Sequence, residues 1–172
     1  RMERAKAEGD LDGIFTSDDI GTQKGAFFSP ALFREFYKPY YAELIAKAHE
    51  LGMHFWLHTC GDVMEFLPDF VEIGLDVIHP IQKYTMDEAE VASRWGDKLT
   101  IWAGFDVQQA IPWGTVEDVR REARFLIDTY WRPDGRFMLT AGNAVHADCT
   151  TASLRALFEE CFDYGAAKAR GR

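Results

Sequence analysis

A parallel α/β sheet, and within that class a partial (β/α)8 TIM barrel, is the architecture this sequence predicts. Three observations lead there. Short apolar runs alternate with longer runs of helical period through 172 residues, in five strand–helix pairs with short connections. No G-x-G-x-x-G follows the first strand, which leads into SDDIGTQKG, so the doubly wound dinucleotide fold lacks its phosphate cradle. Eight barrel units take ~250 residues, so five units read as the C-terminal portion of one barrel domain spanning residues 1–172. The opening RMERAKAEG, which reads as the tail of a helix, agrees with that placement.

Each element has a local reason. Residues 11–17 (LDGIFTS) form a short apolar strand, and residues 18–28 a Gly-containing loop. Ser29-Pro30 gives an N-cap followed by proline at the first helical position. Leu32, Phe33, Phe36, Tyr37, Tyr40, Tyr41, Leu44, Ile45 and Ala48 then recur at helical spacing until Gly52, with a kink or restart expected at Pro39. Residues 53–59 (MHFWLHT) are the second strand, followed by a Cys60-Gly61-Asp62 turn and a helix up to Gly74. Residues 75–79 (LDVIH) are the third strand and residues 86–95 the next helix. Residues 99–105 (LTIWAGF) are the fourth strand, with a loop to Gly114. Thr115 to Asp118 opens a helix as a capping box, and Val116, Val119, Ala123, Leu126, Ile127 and Tyr130 line its inner face. Residues 136–141 (RFMLTA) are the fifth strand, and residues 151–168 the final helix.

Composition narrows the function. At 47% hydrophobic and 27% charged the chain can bury a sizeable core, which excludes a disordered segment. The net charge of −9 argues against nucleic acid or an anionic membrane as partner, because phosphate contacts need clustered positive charge. No apolar run approaches the ~20 residues of a membrane helix. Three widely spaced cysteines fit free thiols in a reducing compartment, and no basic-then-apolar leader opens the sequence, so a cytoplasmic location is expected. Five of eight barrel units leave two strand edges open, which invites association, as in a homo-oligomer, or incomplete folding.

In a barrel the chemistry sits at the C-terminal ends of the strands. Those positions hold Asp18, Asp19 and Gln23 after the first strand, His58 and Cys60 after the second, and His79 and Gln82 after the third. The fourth adds Asp106, Gln108 and Gln109, and the fifth Asn143, His146, Asp148 and Cys149. The opposite loops (AKAEGD, HELG, VEIG, WGDK, WRPDG) are ordinary surface turns. Ligand-capable side chains therefore collect at one end of the sheet.

His58-Thr59-Cys60 is the sharpest motif. Residues i and i+2 of a strand point the same way, and an imidazole beside a thiolate suits zinc, which takes tetrahedral N/S ligands. A third ligand is needed, and Cys149 or His146 is available in the loop after the fifth strand. The alternative is an inert buried thiol at Cys60 with His58 held by backbone. Asp18 and Asp19 are candidates for general acid or base, or for orienting substrate or a metal ligand; capping of loop amides is the plainer role. His79, before Pro80, reads as a pocket wall. His49 and His54 lie away from the mouth and read as structural, and Cys161 shares a helix face with Leu154, Leu157 and Phe158, which places it in the core.

The run SDDIGTQKGAFFSPALFREFYKPYY, then LHTCGDV, GLDVIHPIQ and IWAGFDVQ, resembles the uroporphyrinogen decarboxylase superfamily, which also contains zinc- and corrinoid-dependent methyltransferases. The resemblance runs from Ile14 to the last helix, with the motifs in family order. It implies a (β/α)8 barrel with its site at the C-terminal mouth, and two branches of chemistry. The decarboxylases of tetrapyrrole biosynthesis are cofactor-free lyases that hold a polycarboxylate with arginines and an aspartate from N-terminal segments that have no counterpart here. The predicted mouth offers Lys24 as its one nearby cation. The methyltransferases hold zinc with an H-x-C pair, matched by His58 and Cys60, and a later cysteine, whose place falls on Asn143. Cys149, six residues on, is then the expected third metal ligand, with His146 as its alternative.

Three functions follow. The first is methyl transfer involving a corrinoid partner protein, with zinc activating a thiol or similar acceptor. In that reading Asp18 and Asp19 are catalytic, and Gln23, His79, Gln82, Asp106, Gln108 and Asn143 bind a small-molecule substrate. The second is decarboxylation of a porphyrinogen-type acid. The third is a non-catalytic ligand-binding barrel.

Overall fold

The computed structural model describes residues 1–171. After a short solvent-facing helix α1 (Met2–Glu8), strand β1 (Gly13–Ser17) enters the sheet. The loop after it contains a hairpin of two-residue strands, β2 (Gly21–Thr22) and β3 (Gly25–Ala26), closed by Thr22 Oγ1 donating to the Gly25 carbonyl at 2.8 Å. This hairpin lies in a stretch expected as loop, since two-residue strands are too short to show alternation. Ser29 caps α2 (Pro30–Phe36) by accepting the Leu32 N–H. Pro39 has no N–H to continue the ladder, and the helix restarts as α3 (Lys38–Glu50).

Strand β4 (His54–His58) is followed by a 3₁₀ turn at Met64–Phe66 and the six-residue α4 (Leu67–Glu72). β5 (Val77–Ile81) runs two residues past the predicted end. α5 (Glu88–Trp95), capped by Asp87, leads to β6 (Thr100–Gly104), and a four-residue helix α6 (Ala110–Trp113) fills a stretch predicted as loop. α7 (Val116–Tyr130) begins with the predicted capping box of Thr115 and Asp118. β7 (Phe137–Thr140) and α8 (Thr151–Ala169) complete the chain. No described helix is long and apolar enough to cross a membrane.

The five long strands pair in the order β1-β4-β5-β6-β7, all parallel, as in a partial TIM barrel. One sheet face, with Phe55, Leu57, Ile78, Ile101 and Ala103, is buried under helix residues including Phe33, Ile45, Phe70, Val91, Val119 and Leu126. Phe33 sits at the centre of an aromatic stack, 4.5 Å from the Phe66 ring and edge-on to Phe70 at 5.2 Å. Buried Asp69 ties α4 to the α2–α3 pair through Arg34 (3.0 Å) and Lys38 (2.7 Å). The other sheet face carries Phe15, Trp56 and Trp102 in edge-on contact, with His58 and His79 beside them.

Several positions expected on buried helix faces point to solvent. Val116, in the first turn of α7, is exposed, while Val119, Ala123, Leu126, Ile127 and Tyr130 are buried as expected. On α8, Leu157 is buried and Cys161 packs half-buried against the core, but Phe158 faces solvent. Of the apolar run on α2 and α3, Phe33, Tyr41, Ile45 and Ala48 turn inward; Leu32, Phe36, Tyr40 and Leu44 turn out, because the run is wider than one helix face.

Away from the strand ends that face the mouth, Asp76 accepts the Phe55 N–H at 2.8 Å and hydrogen-bonds His49 Nε2 (2.7 Å) and His54 Nδ1 (3.2 Å). Burial alone would raise this carboxyl; the Phe55 amide and the two imidazoles outweigh it and hold it below the usual carboxylate range. A depressed folded value means the stabilisation is complete above the unfolded value of about 3.9 and is lost as pH falls through the folded one. Asp76→Asn is therefore expected to cost about 1–2 kcal/mol at pH 7, with the gap to the natural protein closing below about pH 4. Urea titrations at pH 7 and pH 3 check this.

Candidate functional site at the C-terminal strand ends

Backbone stitching between the loops after β1, β4 and β5 builds the site. The Asp18 N–H donates to the His58 carbonyl at 2.9 Å, and the Thr59 N–H to the His79 carbonyl at 2.7 Å. Fully buried Thr59 accepts the Ile20 N–H on its hydroxyl. The Gly61 N–H donates to Gln82 Oε1 at 2.9 Å, and the Asp62 N–H to the Thr22 carbonyl at 2.8 Å. Gly61 has φ +85°, and a Cβ there would lie 2.4 Å from the Gly21 carbonyl carbon, so the turn after β4 requires glycine to press against the β2 backbone.

This stitching fixes three donor atoms together. The Cys60 N–H donates to Asp19 Oδ1 at 2.9 Å. His58 Nε2 lies 3.4 Å from Cys60 Sγ and 3.6 Å from Asp19 Oδ1. All three donors fall within 4.8 Å of one another. Burial and the Asp19 carboxylate push the Cys60 thiol above its ordinary range. On its other side His58 Nδ1 lies 2.8 Å from His79 Nδ1, and both rings are buried. Burial, reinforced by His58, holds His79 down at about 4, so it is a neutral imidazole at physiological pH.

Tetrahedral zinc with ligand bonds of ~2.0–2.3 Å sets its donors ~3.3–3.8 Å apart. The 3.4 and 3.6 Å separations from His58 Nε2 match that spacing. Nitrogen, sulfur and carboxylate oxygen are also ligand types zinc accepts. The residues present fit a zinc ion.

A cleft of about 310 Å³ opens beside this group, lined among others by Asp19, Gln23, Cys60, Gln82, Asp106, Gln108, Asn143 and His146. Several expected site residues lie elsewhere. The Asp18 carboxylate accepts the Tyr41 hydroxyl at 2.7 Å and does not line the cleft. His79 sits behind His58 rather than on the cleft wall. Asp106 reaches the cleft with its oxygens already engaged, by the N–H groups of Gln108, Gln109 and Ala110 at the start of α6 and by the Tyr84 hydroxyl. Cys149 lies outside both the cleft and the donor group: it precedes Thr150, the N-cap of α8, and packs against the core there. His146 lines the cleft without joining the donors. Among the described residues the third donor is Asp19.

Lys83, absent from the expected site, lines the cleft in place of Lys24. Its ammonium is 2.7 Å from Glu122 and 3.2 Å from Glu88, so its charge is matched twice over. Only its position shortly after a strand end pointed to it in the sequence. The pairing of His58 with His79 needed the β4–β5 register, in which the two are direct partners.

Comparison with known proteins bears on the family and the fold. The family model described as uroporphyrinogen decarboxylase (URO-D) matches residues 4–164. Among solved structures, a methyltransferase from Methanosarcina mazei is similar at a TM-score of 0.69 and 18% identity, over 92% of this chain and 44% of that one. The chain thus spans less than half the length of that structure. No curated protein matches it. A family match running through every strand of the parallel sheet, and through both halves of the donor group, makes the chain a member of the uroporphyrinogen decarboxylase family.

Proposed function

We propose that this chain serves zinc-dependent methyl transfer, with Asp19, His58 and Cys60 as the protein ligands. The observation that carries the reading is the 3.4 and 3.6 Å spacing of their donor atoms around His58 Nε2. Zinc held there would supply a Lewis acid that lowers the pKa of an acceptor thiol. The chain's own residues do the rest. The Cys60 amide holds the Asp19 carboxylate in place, and the Gly61–Gln82 bond fixes the turn that presents Cys60. Gln23, Gln82, Gln108 and Asn143 line the cleft with neutral amides that orient the polar groups of a small substrate. The methyl donor in this reading is a corrinoid carried by a partner protein.

The cleft's charge favours this over decarboxylation of a polycarboxylate. Its lining lysine is paired with two glutamates, and Asp19 and Asp106 add negative charge. A polyanion would meet no free cation among the described lining residues.

The test supplies methylcob(III)alamin and a small thiol to the zinc-loaded full chain. The expected products are cob(I)alamin, followed by its absorbance, and the methyl thioether, with the methyl moving to sulfur and the bond electrons staying on cobalt. Zinc-independent loss of carboxylate from a porphyrinogen, with no methyl transfer, overturns the reading.

A further inference from the structure

We infer that His79 is a positioning residue that fixes the tautomer of His58 and so aims the bare lone pair of His58 Nε2 at Cys60 and Asp19. The inference rests on the metal reading above for its purpose, but its observable exists without metal.

Counting ring hydrogens leaves two arrangements of the pair. A neutral imidazole carries one N–H, and two Nδ1 atoms 2.8 Å apart require one donor and one acceptor. Either His58 donates and keeps Nε2 bare, or His79 donates and His58 carries its hydrogen on Nε2. In the second arrangement the hydrogen of His58 Nε2 would occupy the space between Cys60 Sγ and Asp19 Oδ1, where a cation would sit.

The surroundings of His79 select the first. Its ring is wedged among Phe15, Trp102 and His58, with the Trp102 centroid 4.4 Å away. Its Nε2 is buried without a well-formed hydrogen bond, and the other polar group it meets is the Gly142 backbone. A carbonyl or an aromatic face there tolerates an N–H far better than a bare lone pair. With its hydrogen on Nε2, His79 offers Nδ1 as an acceptor, and His58 must donate from its own Nδ1. The parallel register that makes His58 and His79 direct partners holds the two rings in this relation. A metal-ligating histidine whose second nitrogen donates to a fixed partner is the usual way protein sites set ring orientation; here the acceptor is a second imidazole rather than a carboxylate.

The experiment uses the metal-free full chain with ¹⁵N-labelled histidine at pH 8, with long-range ¹H–¹⁵N correlations reporting which ring nitrogen is protonated. His58 is expected to be protonated on Nδ1 and His79 on Nε2. In His79→Phe the acceptor is gone, and His58 should move to the Nε2–H form or a mixture. His79→Asn keeps an acceptor oxygen near the place of Nδ1 and should restore the Nδ1–H form. In parallel, zinc competition should show His79→Phe weakened about 10–100-fold, with His79→Asn near the natural protein. His58 protonated on Nε2 in the natural protein, or an unchanged His58 tautomer in His79→Phe, overturns the inference. If His79→Phe does not fold, the natural protein's tautomer still decides. If the natural protein binds no zinc, the methyl-transfer reading fails while the tautomer measurement stands on its own.

Discussion

Serine in place of Cys60 is expected to weaken zinc binding by at least about 100-fold, beyond the 10–100-fold that loss of an outer partner costs. A hydroxyl removes the soft anionic ligand, and His58 Nε2 and Asp19 Oδ1, 3.6 Å apart, remain as a pair too weak to hold zinc alone. Asp19→Ala should also weaken binding. Cys149→Ser and Cys161→Ser should leave it unchanged, because both thiols pack against the core outside the donor group. Competition with a chromophoric chelator reads all four. Equal losses in Cys60→Ser and Cys149→Ser would transfer the third ligand back to the loop after β7.

Phe33→Ala should cost about 3–5 kcal/mol, the range for deleting a fully buried aromatic ring. Against a typical domain stability of 5–15 kcal/mol, that is a large fraction. The loss is concentrated because Phe33 touches rings from two other elements: Phe66 before α4 and Phe70 within it, besides Tyr41 on α3. Tyr41 in turn holds Asp18, one residue before Asp19, so the packing around Phe33 connects to the loop after β1. Phe33→Leu, which fills most of the space, should cost about 1–2 kcal/mol. Denaturant melts measure both, and a Phe33→Ala cost under about 1 kcal/mol would contradict the packing described.

Much of the fold was legible because strand and helix periods differ so sharply. LTIWAGF alternates, and VEDVRREARFLIDTY repeats at helical spacing, so β6 and α7 fell within a residue or so of their observed limits. β5 was less legible, because it contains Pro80. Proline normally ends a ladder, but here the strand passes through it to Ile81, and the β5–β6 register shifts between Ile78 and Ile81 so that the pairing skips Pro80. Within the site, the i, i+2 spacing of His58 and Cys60 and the place of Asp19 at the end of β1 were visible in one dimension. The choice of Asp19 over Cys149 was not, because it depends on the Cys60 amide reaching across to the loop after β1. The neutralisation of Lys83 was equally hidden, since Glu88 and Glu122 come from two different helices.

X-ray absorption at the zinc edge, on the full chain loaded with one equivalent of zinc, decides whether Asp19, His58 and Cys60 hold the metal. The expected result is retained zinc with a single sulfur neighbour from Cys60 and the remaining neighbours nitrogen or oxygen, including the imidazole of His58. Failure to retain zinc, a coordination shell without sulfur, or a shell with two protein sulfurs would contradict it.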